Sequence, residues 1–67
     1  MDPGRVRLQL RLVRAAMRGA QPGERPAMVP RAIEILDAVA IEIQADPDPA
    51  LERLLADVRH ELRTGGD

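Results

Sequence analysis

Residues 5–18 read Arg-Val-Arg-Leu-Gln-Leu-Arg-Leu-Val-Arg-Ala-Ala-Met-Arg, and two local structures compete for them. At a helical period, Val6, Leu10, Val13 and Met17 recur at i, i+4, i+7 and i+11, and Ala20 extends the series. That is the a/d spacing of helices packed side by side. At a period of two, Arg5, Arg7, Gln9 and Arg11 alternate with Val6, Leu8, Leu10 and Leu12, as they would along a half-buried strand. The helical period is kept through Arg18, and Ala15, Ala16 and Met17 are good helix formers. Helix is therefore the expectation, with strand as the alternative.

On a helical wheel Arg7, Arg11, Arg14 and Arg18 fall in one narrow sector. Leu8, Leu12 and Ala15 lie beyond it, away from the Val6–Met17 stripe. A helix that is apolar around more than half its circumference needs more than one neighbour to cover it.

Working outward, proline and glycine punctuate the chain. Residues 1–4 read as a tail, 19–26 as a loop rich in helix breakers, 46–49 (Asp-Pro-Asp-Pro) as a second sharp break, and 64–67 as a terminal tail. The second periodic segment covers about 28–45, with Pro30 suited to its first turn. Val29, Ala32, Ile33, Leu36, Val39, Ala40 and Ile43 make its apolar face. Ile41 falls among polar positions, although Val39, Ile41 and Ile43 would alternate properly in a strand. The third segment covers about 49–63. Asp48 is a good N-cap and Pro49 a good first residue. Leu51, Leu54, Leu55, Val58 and Leu62 form a narrow stripe that one neighbour can cover. Arg59, His60 and Arg63 suit the negative end of the helix dipole, and Gly65 and Gly66 can end the helix.

Sixty-seven residues make one small domain. Domains of this size bury a small core and are commonly completed by disulfides, a metal or oligomerisation. The chain has no cysteine and a single histidine, His60, which removes the first two routes and leaves association. No apolar run approaches the roughly 20 residues of a membrane span, and no secretory leader is recognisable, so the expected location is cytoplasmic. Every basic side chain other than His60 is arginine, in an Ala- and Leu-rich background typical of GC-rich coding. The net charge is −1, but it is divided: residues 1–31 hold seven Arg and two acids, residues 32–67 three Arg and nine acids. Opposite charge at the two ends favours attraction, within a chain or between chains.

Catalysis is not expected. Ser, Cys, Lys and Tyr are all absent, so a His60–Asp57 contact would have no nucleophile to activate. His60 points away from the leucine stripe and should be solvated. Asp46 and Asp48 lack the glycine and distal glutamate of a calcium loop and are better explained as caps. Neither a metal nor a cofactor is implied, and no glycine-rich phosphate loop is present.

The arginines are the remaining feature with functional content. Arg5, Arg7, Arg11, Arg14 and Arg18 could bind phosphate or carboxylate groups in bidentate fashion. The simpler expectation is a solvated or acid-paired face, with Glu34, Asp37, Glu42, Asp57 and Glu61 as available partners. An anionic membrane surface fits less well, since interfacial Trp is missing. Nucleic acid fits better if residues 5–12 are a strand, because a two-stranded ribbon from a dimer can enter the major groove. That arrangement resembles a ribbon-helix-helix repressor, although too few residues precede Gly19 for a full first helix. Arg14-Ala15-Ala16-Met17 and Arg31-Ala32-Ile33-Glu34-Ile35-Leu36 also resemble the middle of the flagellin-export chaperones. That likeness covers about half the chain, runs mostly through generic apolar positions, and implies a chaperone for a helical client. Those proteins are longer and richer in aromatic residues, and the chain is not assigned to them.

The sequence thus predicts an all-α domain, a helical hairpin or three-helix bundle completed by oligomerisation, with a ribbon-helix-helix-like α+β dimer as the alternative. Val6, Leu10, Val13, Met17, Leu36, Val39, Ile43, Leu51, Leu55, Val58 and Leu62 are expected to form the core and interface. The expected function is protein–protein interaction, with a second copy or a helical partner chain docking at Val6, Leu8, Leu10, Leu12, Val13, Met17 and Ile41. A small dimeric nucleic-acid-binding regulator is the alternative.

Overall fold

A computed structural model describes residues 2–64. They form three helices: α1 (Pro3–Gly19), α2 (Arg25–Ala45) and α3 (Pro49–Thr64). There is no strand among the described residues, so the three-helix bundle replaces the ribbon-helix-helix alternative. The reason lies in residues 5–12. A strand would bury Val6, Leu8, Leu10 and Leu12 together, whereas here Val6 and Leu10 are buried while Leu8 and Leu12 are 56% and 59% exposed. The helical period separates what the alternation would have joined. Residues 39–43 are likewise helical: Val39 and Ile43 face inward and Ile41 outward.

The helix ends differ from the expected ones in ways that local chemistry explains. Residues 2–4 are not a tail. Asp2 Oδ1 accepts from the Gly4 and Arg5 N–H groups at 3.0 and 3.4 Å, and Pro3 occupies the first turn. The cap satisfies donors that the first turn leaves without intrahelical partners. α2 begins three residues earlier than expected. The Gln21 carbonyl accepts from the Glu24 and Arg25 N–H groups, and the Glu24 carbonyl accepts from Met28 N–H. This turn leads directly into the helix with Pro26 in its first turn. Pro30 is therefore inside the helix, where it lacks the N–H that the Pro26 carbonyl would otherwise accept. α3 begins as expected, with Asp48 Oδ1 accepting from Ala50 and Leu51 N–H at 3.0 and 3.4 Å. Thr64 still belongs to α3. Gly65 and Gly66, expected to end it, lie outside the described residues.

Connections this short force consecutive helices to pack as antiparallel neighbours. The core takes one stripe from each helix: Val6, Leu10, Val13 and Met17; Ala32, Leu36, Val39 and Ile43; Leu51, Leu55 and Val58. Leu62, expected in the core, is half-buried against it, as are Leu54, Met28 and Ile35. α3 packs on both other helices, not on one, and the α1–α2 contact is the lightest of the three. The bundle measures 36 × 17 × 16 Å. A groove lies between α1 and α2, and it positions the candidate site.

Candidate protein-interaction face

The site follows from what each helix has left after filling the core. In α1, Val6, Leu10, Val13 and Met17 are consumed by the bundle itself and have no surface to offer while it is folded. Leu8 and Leu12, one turn apart, stand outside with Ala15 and Ala16, all exposed. In α2, Ile41 is 69% exposed, and Glu34, Ala38 and Glu42 form an exposed ridge beside it at i, i+4, i+8. Between the two helices lies a groove of about 580 Å³, lined by Gln9, Leu12 and Ala16 of α1 and by Met28, Arg31 and Ile35 of α2. Of the seven residues expected to meet a partner, the structure thus places Leu8, Leu12 and Ile41 on the surface and the other four inside.

Ile35 and Met28 were not anticipated as part of this face. The helical wheel carries their signal. Each sits on the α1 side of the Ala32–Leu36–Val39–Ile43 stripe, widening it beyond the sector that two partners inside the chain can cover.

The arginines divide into two groups. Arg18 and Arg14 converge on Glu61 of α3. Arg18 Nε donates to Glu61 Oε1 at 2.8 Å, its Nη2 lies 2.7 Å from the same oxygen, and Arg14 Nε lies 4.0 Å from Oε2. With Arg18 two-thirds exposed and Glu61 one-third exposed, this fork positions α1 against α3 more than it stabilises them. Arg5, Arg7 and Arg11 are exposed and make no ion pair among the described residues. Of the other expected acidic partners, Asp37 accepts from Arg59 at 3.2 Å. Glu34, Glu42 and Asp57 make no ion pair among the described residues. Arg25 was not singled out in the sequence. It lines a small cavity with Arg14, Arg18 and Glu61, and its Nε is shielded from solvent with no hydrogen-bond partner among the described residues.

His60 is exposed and makes no side-chain hydrogen bond to Asp57 among the described residues. Among those residues no three of His, Cys, Asp or Glu converge as metal ligands, and no helix is long and apolar enough to cross a membrane. Comparison with family models, with curated proteins and with solved structures yields no match to this chain.

Proposed function

We propose that this chain is a non-enzymatic helical interaction module, adaptor- or chaperone-like, that works by packing its α1–α2 face against another helical chain. The observation that carries this reading is the exposure of Leu8, Leu12 and Ile41, with Leu12 also lining a largely apolar groove. Fully burying a leucine or isoleucine stabilises by about 1.5–3 kcal/mol. Covering the exposed half or more of these three side chains is therefore worth about 1 kcal/mol each to an association. The absence of Ser, Cys, Lys and Tyr supports a role without covalent catalysis.

The double substitution Leu8→Gln and Leu12→Gln tests it. In dilute solution the variant should melt like the parent, because neither side chain is part of the core. At high concentration it should lose whatever association light scattering detects in the parent, or, where the parent is monomeric, lose binding of an apolar dye. Loss of the fold, or unchanged association and unchanged dye binding, refutes the proposal.

A second reading is favoured by Arg5, Arg7 and Arg11, which are exposed without carboxylate partners among the described residues. These could contact nucleic acid phosphates, in which case retention on duplex DNA or RNA would fall steeply with salt. No retention at low salt removes this reading.

A further inference from the structure

We infer that the cavity where α1 ends, α2 begins and α3 ends binds a small, doubly charged oxyanion of the phosphate class, held by Arg14, Arg18 and Arg25. Leu8, Leu12 and Ile41 do not line this cavity, so the inference stands apart from the docking reading.

Charge points to an anion. Arg14 and Arg18 reach the cavity from the last turns of α1, Arg25 from the first residue of α2, and Glu61 from the last turn of α3. Glu61 is the one acid among the described residues that line it. Three guanidinium groups against one carboxylate leave two positive charges in excess. Met17 and Val58, both buried, close the apolar side, where charges attract more strongly than in open water.

Hydrogen bonding points the same way. Glu61 commits Oε1 to Arg18, whose Nε and Nη2 lie 2.8 and 2.7 Å away, and its Oε2 lies 4.0 Å from Arg14 Nε. Arg25 gets neither oxygen: its Nε is shielded from solvent and has no acceptor among the described residues. A buried donor without an acceptor is costly. A water there would accept the hydrogen bond and leave the excess charge in place. An oxyanion answers both, and guanidinium groups suit it because they can donate two parallel N–H bonds.

Size sets the class. The cavity measures about 130 Å³, and a water takes about 30 Å³ in the liquid. The space of a few waters admits a tetrahedral oxyanion and excludes a nucleotide. An ion held by residues of α1 and α2 also bridges the lightest helix contact of the bundle, so its binding stabilises the fold by mass action.

Titration of the folded chain with inorganic phosphate and with phenyl phosphate tests the inference, at neutral pH and at an ionic strength held constant with chloride. Backbone amide and arginine Nε–H resonances are followed by NMR. Saturable shifts are expected at Arg18, Arg25 and Glu61. Arg25→Gln should bind at least about tenfold more weakly. Glu61→Gln should bind more tightly, because the competing carboxylate charge is gone, and Arg5→Gln, outside the cavity, should bind like the parent. Binding of inorganic phosphate alone identifies a free ion as the ligand; equal binding of phenyl phosphate identifies a phosphate group carried on a larger molecule. Circular dichroism establishes that each variant folds. Where Arg25→Gln does not, Arg25→Lys keeps the charge without the Nε–H and should also weaken binding. No saturable shift with either probe, an affinity that the Arg25 substitution leaves unchanged, or one that Glu61→Gln lowers in a folded variant, overturns the site.

Discussion

Shortening Leu10 to alanine and shortening Leu8 to alanine remove the same isopropyl group, two residues apart on one helix, and the bundle predicts very different costs. Leu10 is fully buried and faces the stripes of both other helices. Its truncation loses the transfer energy and leaves a cavity, together about 3 kcal/mol or more. A domain under about 70 residues rarely has more than 3–5 kcal/mol to lose, so Leu10→Ala should be largely unfolded or lowered in melting temperature by about 12 °C or more. Leu8 is 56% exposed, and alanine is slightly the better helix former, so Leu8→Ala should cost less than about 1 kcal/mol. The chain has no aromatic residue, which makes the helical circular-dichroism signal, not fluorescence, the probe for urea and thermal unfolding. The measurement belongs in dilute solution, because association would add concentration-dependent stability to the parent. Equal costs for the two substitutions would mean that Leu8 and Leu10 share one buried face. That is the strand pattern of residues 5–12, and it would refute the helical reasoning at its root.

Two further outcomes test the helix ends. Asp48→Ala removes the acceptor for the Ala50 and Leu51 N–H groups and should lower stability by about 1 kcal/mol, visible as a lower urea midpoint with an unchanged slope. Pro30→Ala restores an N–H that can donate to the Pro26 carbonyl. Its position in the second turn of α2 makes the gain smaller than the roughly 3 kcal/mol of a mid-helix site, about 1 kcal/mol, and a variant no more stable than the parent would contradict this.

How legible the fold was in the sequence can be judged residue by residue. The stripes Val6–Leu10–Val13–Met17 and Leu51–Leu55–Val58 were readable because an a/d repeat has one buried face and little freedom to place it elsewhere. The Asp48–Pro49 start of α3 was readable because cap and proline coincide. The start of α2 was not. Pro26 and Pro30 are both acceptable first-turn residues, and the choice between them rests on carbonyls of Gln21 and Glu24 that no side-chain pattern announces. The candidate face was half readable. Ile41 declared itself as an apolar residue at a polar position. Val6, Leu10, Val13 and Met17 fall with Leu8 and Leu12 in the expected interface because a wheel shows how much of a helix is apolar but not which part its own chain covers.

That distinction also bears on whether the exposed leucines and isoleucine carry information or merely follow an Ala- and Leu-rich composition. A compositional excess would scatter over all three helices. From Glu52 to His60 the outward positions of α3 are Glu52, Arg53, Ala56, Asp57 and His60, without one large apolar side chain, although Leu51, Leu54, Leu55 and Leu62 make α3 rich in leucine. Composition supplied leucines to α3, and all of them went to its inner side. In α1 and α2 the same supply placed Leu8, Leu12 and Ile41 outside. The fourth exposed large hydrophobic residue, Ile33, lies on the other side of α2, where it shares a groove with Val29 and the Asp37–Arg59 pair. The asymmetry between a charged outer α3 and an apolar outer α1–α2 is therefore a property of position and not of supply. It supports the proposed docking reading, in which apolar surface is concentrated where a neighbour would pack.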